Sequence, residues 1–589
     1  MTATDADERF SKWLGLFNAN AAAADIDALL ILFHPDAFWR DLLAFTWNVR
    51  TAEGRDEIRQ MLDACLARTA PAAWRQTRPA RLEDGIVEGI VEFETQVARC
   101  KAVIRLREGK AWTLLTSMVE LKGLEASPSP DDVSHSGGAH PEKRGSDMFA
   151  STNQPYCVIV GAGHCGLGLG AQLRKLGVPT LIIDRRERPS DTWRDRHDSL
   201  TLHSPSYFDQ MPGFSYPDDW PLHPSKERFA DWLDAYQSVM QADVMTGAEC
   251  VGAEYDDARG KWRLQVRRRD RGIIELSPAQ LVLATGLFGA PKVPDIPGKE
   301  RFKGLQQHAS LYRRNPHHRN RRCVVVGSGT TAHDISADLL ASGANVTMIQ
   351  RSPTIVMRLE TLLEGFAKFY GTEPKAQGIT IDLADLLFAS IPLRVLVGMH
   401  QKLVKHVKEK DAAFYRRLES VGFRLTFGED ESGVFPQVLR DPGGYYIDVG
   451  ASELIADGSI NLRSGVGITA LREESVVLSD GSELPADMIF YATGYERSSF
   501  ETILPPGTVN RVGPLWGFGS GTRCDPGPWE GELRNMWKPT QQEGLWFHSA
   551  GVGMARFYSR ILALQIKARQ ARMATPVYNG EAVNALEAA

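Results

Sequence analysis

The chain has 589 residues, 43% of them hydrophobic and 24% charged, with a net charge of −5. At roughly 150 residues per domain this is too long for one core, so three or four domains are expected. The mild negative charge leaves no electrostatic footprint for nucleic acid, and seven scattered cysteines without a Cys-x-x-Cys pair exclude a disulfide framework, a zinc ribbon and a dithiol redox centre.

The chain opens "MTATDADERFSKW", which has no apolar core of signal-peptide type, so a soluble cytoplasmic protein is expected. Phe10, Trp13, Leu14 and Phe17, then Ile26, Leu29, Leu30 and Phe33, follow helical spacing. Residues 85–121 read as a strand meander turning at Glu108-Gly109-Lys110. Helices followed by antiparallel strands predict an α+β domain over 1–125. Residues 126–152, rich in Ser, Pro, Gly and charge, read as a flexible linker.

Beyond the linker, strand–helix–strand alternation predicts α/β architecture with parallel sheets. The strand before Gly161 leads into Gly161, Gly163 and Gly166, and a helix with Leu169, Leu173 and Leu176 on one face follows. The first two glycines allow a tight turn and close approach of a pyrophosphate; the third allows helix and strand to pack. The helix start offers N–H groups to phosphates. The next strand ends at Asp184, where a carboxylate can bind both hydroxyls of an adenosine ribose, with Arg185 beside it. Residues 205–232, aromatic and proline-rich, either pack a loop or line a substrate tunnel.

A second copy of the device follows: Gly327, Ser328, Gly329, Thr330 and Thr331, with Ala332 at the third glycine position. Its second strand ends in Gln350-Arg351-Ser352 at the same spacing. A carboxylate would repel a ribose 2′-phosphate, whereas Arg351 can pair with it bidentately. The first copy is therefore expected to hold FAD and the second NADPH.

Residues 355–445 read as a helical insertion ending in a Gly-Gly turn at 443–444; its apolar run 386–399 is broken by Pro392 and Arg394 and cannot span a membrane. Two apolar strands run into Ala-Thr-Gly, at Thr285-Gly286 and Thr493-Gly494, and read as crossings between the dinucleotide domains. Gly551 and Gly553 precede a helix whose N-terminus could face the flavin ring. The expected divisions are 153–320 (FAD domain, first part), 321–485 (NADPH domain), 486–575 (FAD domain, second part) and a C-terminal tail, 576–589.

Phe302, Gly304, His308 and Tyr312 match the Phe-x-Gly-x-x-x-His-x-x-x-Tyr/Phe pattern of flavin-containing monooxygenases, and the resemblance covers roughly 155–570. The stretches "SDTWRDRHDSLTLHSPSYFDQMP" and "DWPLHPSKERFADWL" resemble those of indole-3-pyruvate monooxygenase-like enzymes. The resemblance places Trp193 and Arg194 by the flavin and His203 near its ring. Ser204 stands where the drug-oxidising branch has an Asn. Residues 34–58 resemble the SnoaL-like cone fold, in which an Asp near the position of Asp41 can be catalytic; a non-catalytic oligomerisation or docking module is the competing reading.

The expected fold is thus α/β with two Rossmann-type dinucleotide-binding domains, FAD and NADPH, preceded by an α+β cone-shaped SnoaL-like domain. The resemblance implies an NADPH-dependent single-component monooxygenase that uses a C4a-(hydro)peroxyflavin to oxygenate a small organic substrate with O2. The reaction would be 2-oxo acid decarboxylation or N/S-oxygenation. A Baeyer–Villiger monooxygenase and an NADPH oxidase or redox-sensing scaffold are the alternatives. His308 is the candidate catalytic side chain, although a role in holding the fold between domains suits it better. No metal is expected, and a homo-oligomer is allowed.

Overall fold

The computed structural model describes residues 3–126, 154–217, 219–497 and 499–580. The expected linker, apart from residue 126, and the end of the expected tail lie outside them.

In the N-terminal domain the helix Ala3–Ala22 turns Phe10, Trp13, Leu14 and Phe17 inward, as their spacing dictates. A seven-stranded sheet receives that face. In the strand Ile86–Glu94 alternate residues are buried, and Gly89 replaces a side chain because the Phe10 ring occupies the place where a Cβ would stand. The turn joining the strands Ala98–Arg107 and Lys110–Leu121 has positive φ at Glu108 and Gly109, the two-residue geometry that suits hairpin twist. One pairing departs from the antiparallel expectation. Phe33–Leu42 lies parallel to Lys110–Leu121, which the long intervening chain, with its helix Gly54–Thr69, permits.

The rest of the chain forms two halves on one plan. The first sheet runs Val244–Met245, Thr180–Ile183, Cys157–Val160, Gln280–Leu283, Leu545–Phe547, all parallel. The second runs Leu305–His308, Met488–Tyr491, Arg322–Val326, Asn345–Gln350, Asn461–Ser464, also all parallel. The strands flanking the first fingerprint are buried along their whole length, as a sheet covered on both faces requires. Each half carries a three-stranded antiparallel sheet just before its Ala-Thr-Gly segment, at 248–276 and 468–485. Past those segments, Phe288–Pro291 and Tyr495–Arg497 pair antiparallel.

The second half claims strands that the sequence divisions gave to the first. Leu305–His308 and Met488–Tyr491 pair with each other in the second sheet, so the boundaries at 320 and 485 both move outward from it. Leu545–Phe547 returns to the first sheet, so that sheet is built from discontinuous stretches of chain.

The helical insertion comprises Leu359–Tyr370, Thr372–Ala376, Ile381–Ala389, Leu393–Lys410, Ala412–Ser420 and Val434–Arg440. Pro392 stands between two of these helices, and among the described residues no helix is long and apolar enough to cross a membrane. The N-terminal domain docks on this insertion and on the C-terminal residues. Arg40, 5% exposed, donates through Nε and Nη2 to the Glu532 carboxylate at 2.6 Å each and reaches Tyr558 and the Ala389 carbonyl. Glu53 accepts from Arg394 and Trp529. The first residues of the expected tail are part of this contact: Tyr578 is buried and its N–H donates to the Thr46 carbonyl.

Candidate active site

The two glycine fingerprints show which of their positions are closed by protein and which are left open. Gly161 (φ +107°) and Gly327 (φ +126°) need left-handed backbone, and a Cβ on them would stand 2.5 Å from the Ala284 carbonyl oxygen and 2.4 Å from that of Ala492. Each Ala-Thr-Gly segment therefore presses its alanine carbonyl onto the first glycine of a fingerprint, and only glycine fits there. Gly166 is closed too: a Cβ would meet the Gly161 oxygen at 1.9 Å.

The middle glycines differ. Nothing lies within 4 Å of a Cβ built on Gly163, and the nearest atom to one on Gly329 is the Tyr445 oxygen at 3.7 Å. The helices His164–Lys175 and Thr330–Ala341 start here without a side-chain cap. Unpaired N–H groups, the positive end of the helix dipole and open space meet at both points, and this donor set fits the pyrophosphate of a dinucleotide.

Asp184 is buried and shaped by the first fingerprint. Its Oδ2 accepts from Ala162 N–H and its Oδ1 from Arg186 N–H, both at 2.8 Å. Each oxygen keeps a further lone pair, which suits two ribose hydroxyls. Arg185 is exposed beside it. In the second copy Gln350 is fully buried and spent on internal hydrogen bonds, while Arg351 is exposed and makes no ion pair among the described residues.

A cavity of about 1520 Å³ lies between the halves. From the first half Trp193, His203, Thr285, Gly286 and Gly551 line it. From the second come Gly327 to Thr331, Arg351, Ser352, Thr493 and Gly494. The first fingerprint adjoins it through His164. The structure thus brings together residues that the sequence scatters over nearly 400 positions.

Several candidates sit differently. The Arg194 guanidinium is held by Asp231 and Asp234 and does not reach the cavity lining, because the short helix Asp191–Arg194 turns it toward the helix Lys226–Val239. Gly553 is closed by the Phe208 ring, 2.3 Å from where a Cβ would stand, so it serves packing rather than cofactor contact. In the 205–232 excursion the aromatics pack on one another, Phe214 on Trp232 and Tyr216 on Trp220, with centroids 4.4 Å apart in both pairs. His308 lines the cavity, yet both ring nitrogens are engaged: Nδ1 accepts from Ser310 N–H and Nε2 faces the Gly494 carbonyl at 2.9 Å. Burial lowers its pKa. This geometry fixes the second crossing and leaves no free nitrogen for proton transfer. Tyr312, at the end of the same motif, donates to Asp338 inside the second half.

Three further cavity residues carry perturbed acids or bases. Asp209 is buried and accepts from Ser204 Oγ at 2.5 Å; burial pushes its carboxyl up to about 6 against the pull of Ser204 and Arg556. Asp334, the fifth residue of the second fingerprint helix, has an Oδ2 with no hydrogen-bond partner, and burial raises it to about 7. His197 Nε2 stands 3.6 Å away, beyond hydrogen-bond reach, and burial holds its imidazole down to about 4. Asp334 was detectable by its place five residues past Gly329; Asp209, inside an aromatic loop, had no periodic signal.

In the N-terminal domain Asp41 does not line that cavity. It is fully buried and accepts from the backbone N–H groups of Phe45 and Thr46 and the hydroxyls of Thr46 and Thr116. The interior around it is filled by rings, with Trp74 stacked on Phe93 at 4.0 Å.

Two dinucleotide-type halves opening on one cavity define a two-site nucleotide oxidoreductase. The family model described as pyridine nucleotide-disulphide oxidoreductase matches residues 158–362. The seven cysteines are all free, six of them buried. The chain is 31% identical over 347 residues to the indole-3-pyruvate monooxygenase YUCCA1 of Oryza sativa subsp. japonica, covering 58% of this chain and 77% of that one. It is 30% identical over 345 residues to a probable indole-3-pyruvate monooxygenase of Arabidopsis thaliana, over 58% and 75%. Among solved structures, a flavin-containing monooxygenase from Stenotrophomonas maltophilia aligns with a TM-score of 0.47 at 17% identity, over 71% of this chain and all of the other. The chain belongs to the flavin-containing monooxygenase family.

Proposed function

We propose that the protein is an FAD- and NADPH-dependent single-component monooxygenase that transfers one oxygen atom from O2 to a small organic substrate. The carrying observation is the contrast between an acidic ribose position, Asp184 after the first fingerprint, and a basic one, Arg351 after the second, on two halves that share one cavity lined by Arg351. When bound, FAD accepts hydride from NADPH and activates O2. The side chains bind and orient. The two uncapped helix starts hold pyrophosphates, Asp184 takes a ribose, and His308 fixes the segment that ends at Gly494. Trp193 and His203 form part of the wall.

A 2-oxo acid is the first substrate class to test, on the strength of the relatives' reaction. The decisive experiment is an NADPH-consumption screen over arylpyruvates, amines, sulfides and ketones with product identification. Product formed in step with NADPH supports the reading and names the class. NADPH turned over entirely into H2O2 with every substrate would leave an oxidase or a redox sensor.

We read residues 1–125 as a SnoaL-like cone that acts as a docking module without chemistry of its own. Its acid is spent on the 45–46 turn and its interior is filled by aromatic rings, which supports that role.

A further inference from the structure

Gln350 occupies the position at which the first half carries Asp184, yet it is fully buried and does not line the cavity. Its five hydrogen bonds bind three segments together. Its side-chain Oε1 accepts from the Arg424 N–H at 2.8 Å and from Ser464 Oγ at 2.8 Å. Its Nε2 donates to the Arg424 carbonyl at 2.9 Å and to Thr354 Oγ1. Its own carbonyl accepts from Gly465 N–H at 2.7 Å. One buried amide thus grips the backbone of Arg424 from both sides, in the manner of a missing strand.

Arg424 belongs to the helical insertion, far in sequence from the fingerprint. Its side chain is exposed and lies beside Arg351: Nη1 reaches the Arg351 carbonyl at 3.4 Å. Both arginines follow the same loop. A Cβ on Gly465 would meet Arg424 Nη1 at 3.5 Å, and one on Gly467 would meet Arg351 Cδ at 3.6 Å. Among the described residues neither guanidinium makes an ion pair, and that of Arg424 reaches only the Arg351 carbonyl. Arg351 lines the cavity and Arg424 stands beside it along the same loop, and two arginines without a carboxylate partner suit a dianion.

We infer that Arg424 is a second guanidinium of the 2′-phosphate site, and that Gln350 is the positioning residue that sets it there. The inference rests on the reading of the second half as an NADPH site and adds its discriminating partner from the insertion. A neutral amide at position 350 then has two effects: it removes the acid that would repel the phosphate and recruits a cation to it.

The test uses the full-length, flavin-loaded protein and calorimetry with adenosine 2′,5′-bisphosphate and adenosine 5′-monophosphate, which differ only in the 2′-phosphate. Arg424→Ala should weaken the bisphosphate about tenfold and leave the monophosphate unchanged. Gln350→Leu should lose a similar factor although both arginines remain, and adding it to Arg424→Ala should cost nothing more for the bisphosphate. Unchanged bisphosphate binding in Arg424→Ala, with a clear loss in Arg351→Ala, overturns the inference and leaves the NADPH reading standing. If the parent protein does not distinguish the two nucleotides, the NADPH reading itself fails. Arg424 is exposed, so its variant keeps the test open if Gln350→Leu does not fold.

Discussion

At the scale of single residues, the two kinds of glycine in one fingerprint make opposite predictions. Gly163→Val should fold, because nothing in the protein occupies the space of its Cβ, and should purify colourless, because a pyrophosphate would. Gly166→Val should fail to fold at all, since the Gly161 oxygen is already in the way. The visible spectrum and thermal unfolding of the two variants separate these outcomes; a yellow Gly163→Val protein would remove the case for its role. Asp334 gives a pH signature. Its folded pKa of about 7 exceeds the ordinary 3.8, so the folded state keeps a proton that the unfolded chain has lost between these values. Folding stability therefore falls as pH rises through that window and levels off above it. In flavin-loaded protein free of nicotinamide nucleotide, the melting temperature of Asp334→Asn relative to the parent should climb from about pH 4 to pH 7 and then stay constant. A difference that is flat with pH would show that the carboxyl is not held neutral.

At the scale of elements, the pairing that matters most for assembly is the one between the strand Phe33–Leu42 and the segment holding Glu532. Arg40 and Glu532 are both buried, so removing one partner strands the other. Arg40→Ala should cost about 3–5 kcal/mol in urea unfolding, and the double replacement Arg40→Met with Glu532→Leu should cost distinctly less. A double variant that loses the sum of the two single losses would mean that the charges act independently. Both fingerprints, both Ala-Thr-Gly crossings and the discontinuous first half were legible in the sequence, because turn glycines and buried parallel strands are encoded locally. The Arg40 contact was not legible, since no local pattern marks a buried ion pair whose halves are 492 positions apart. Nor was the fate of Arg194 or Gly553. Each has the right residue type at the right spacing, and only the packing of Asp231, Asp234 and Phe208 decides where it points.

At the scale of the whole molecule, the N-terminal domain is tied to the helical insertion and to both ends of the C-terminal region through Arg40, Glu53, Arg105 and Tyr578. A protease site engineered between residues 127 and 153, once cut, should leave two pieces that still elute together in gel filtration and retain flavin. Separation of the pieces under mild salt would show that the docking contributes little. The same contact orders events during synthesis. At about 5–20 residues per second, a ribosome that has made Arg40 needs on the order of half a minute or more to reach Glu532, so the guanidinium exists for that time without its counterion. Until Tyr578 emerges, that face lacks the last of the contacts that cover it in the finished protein.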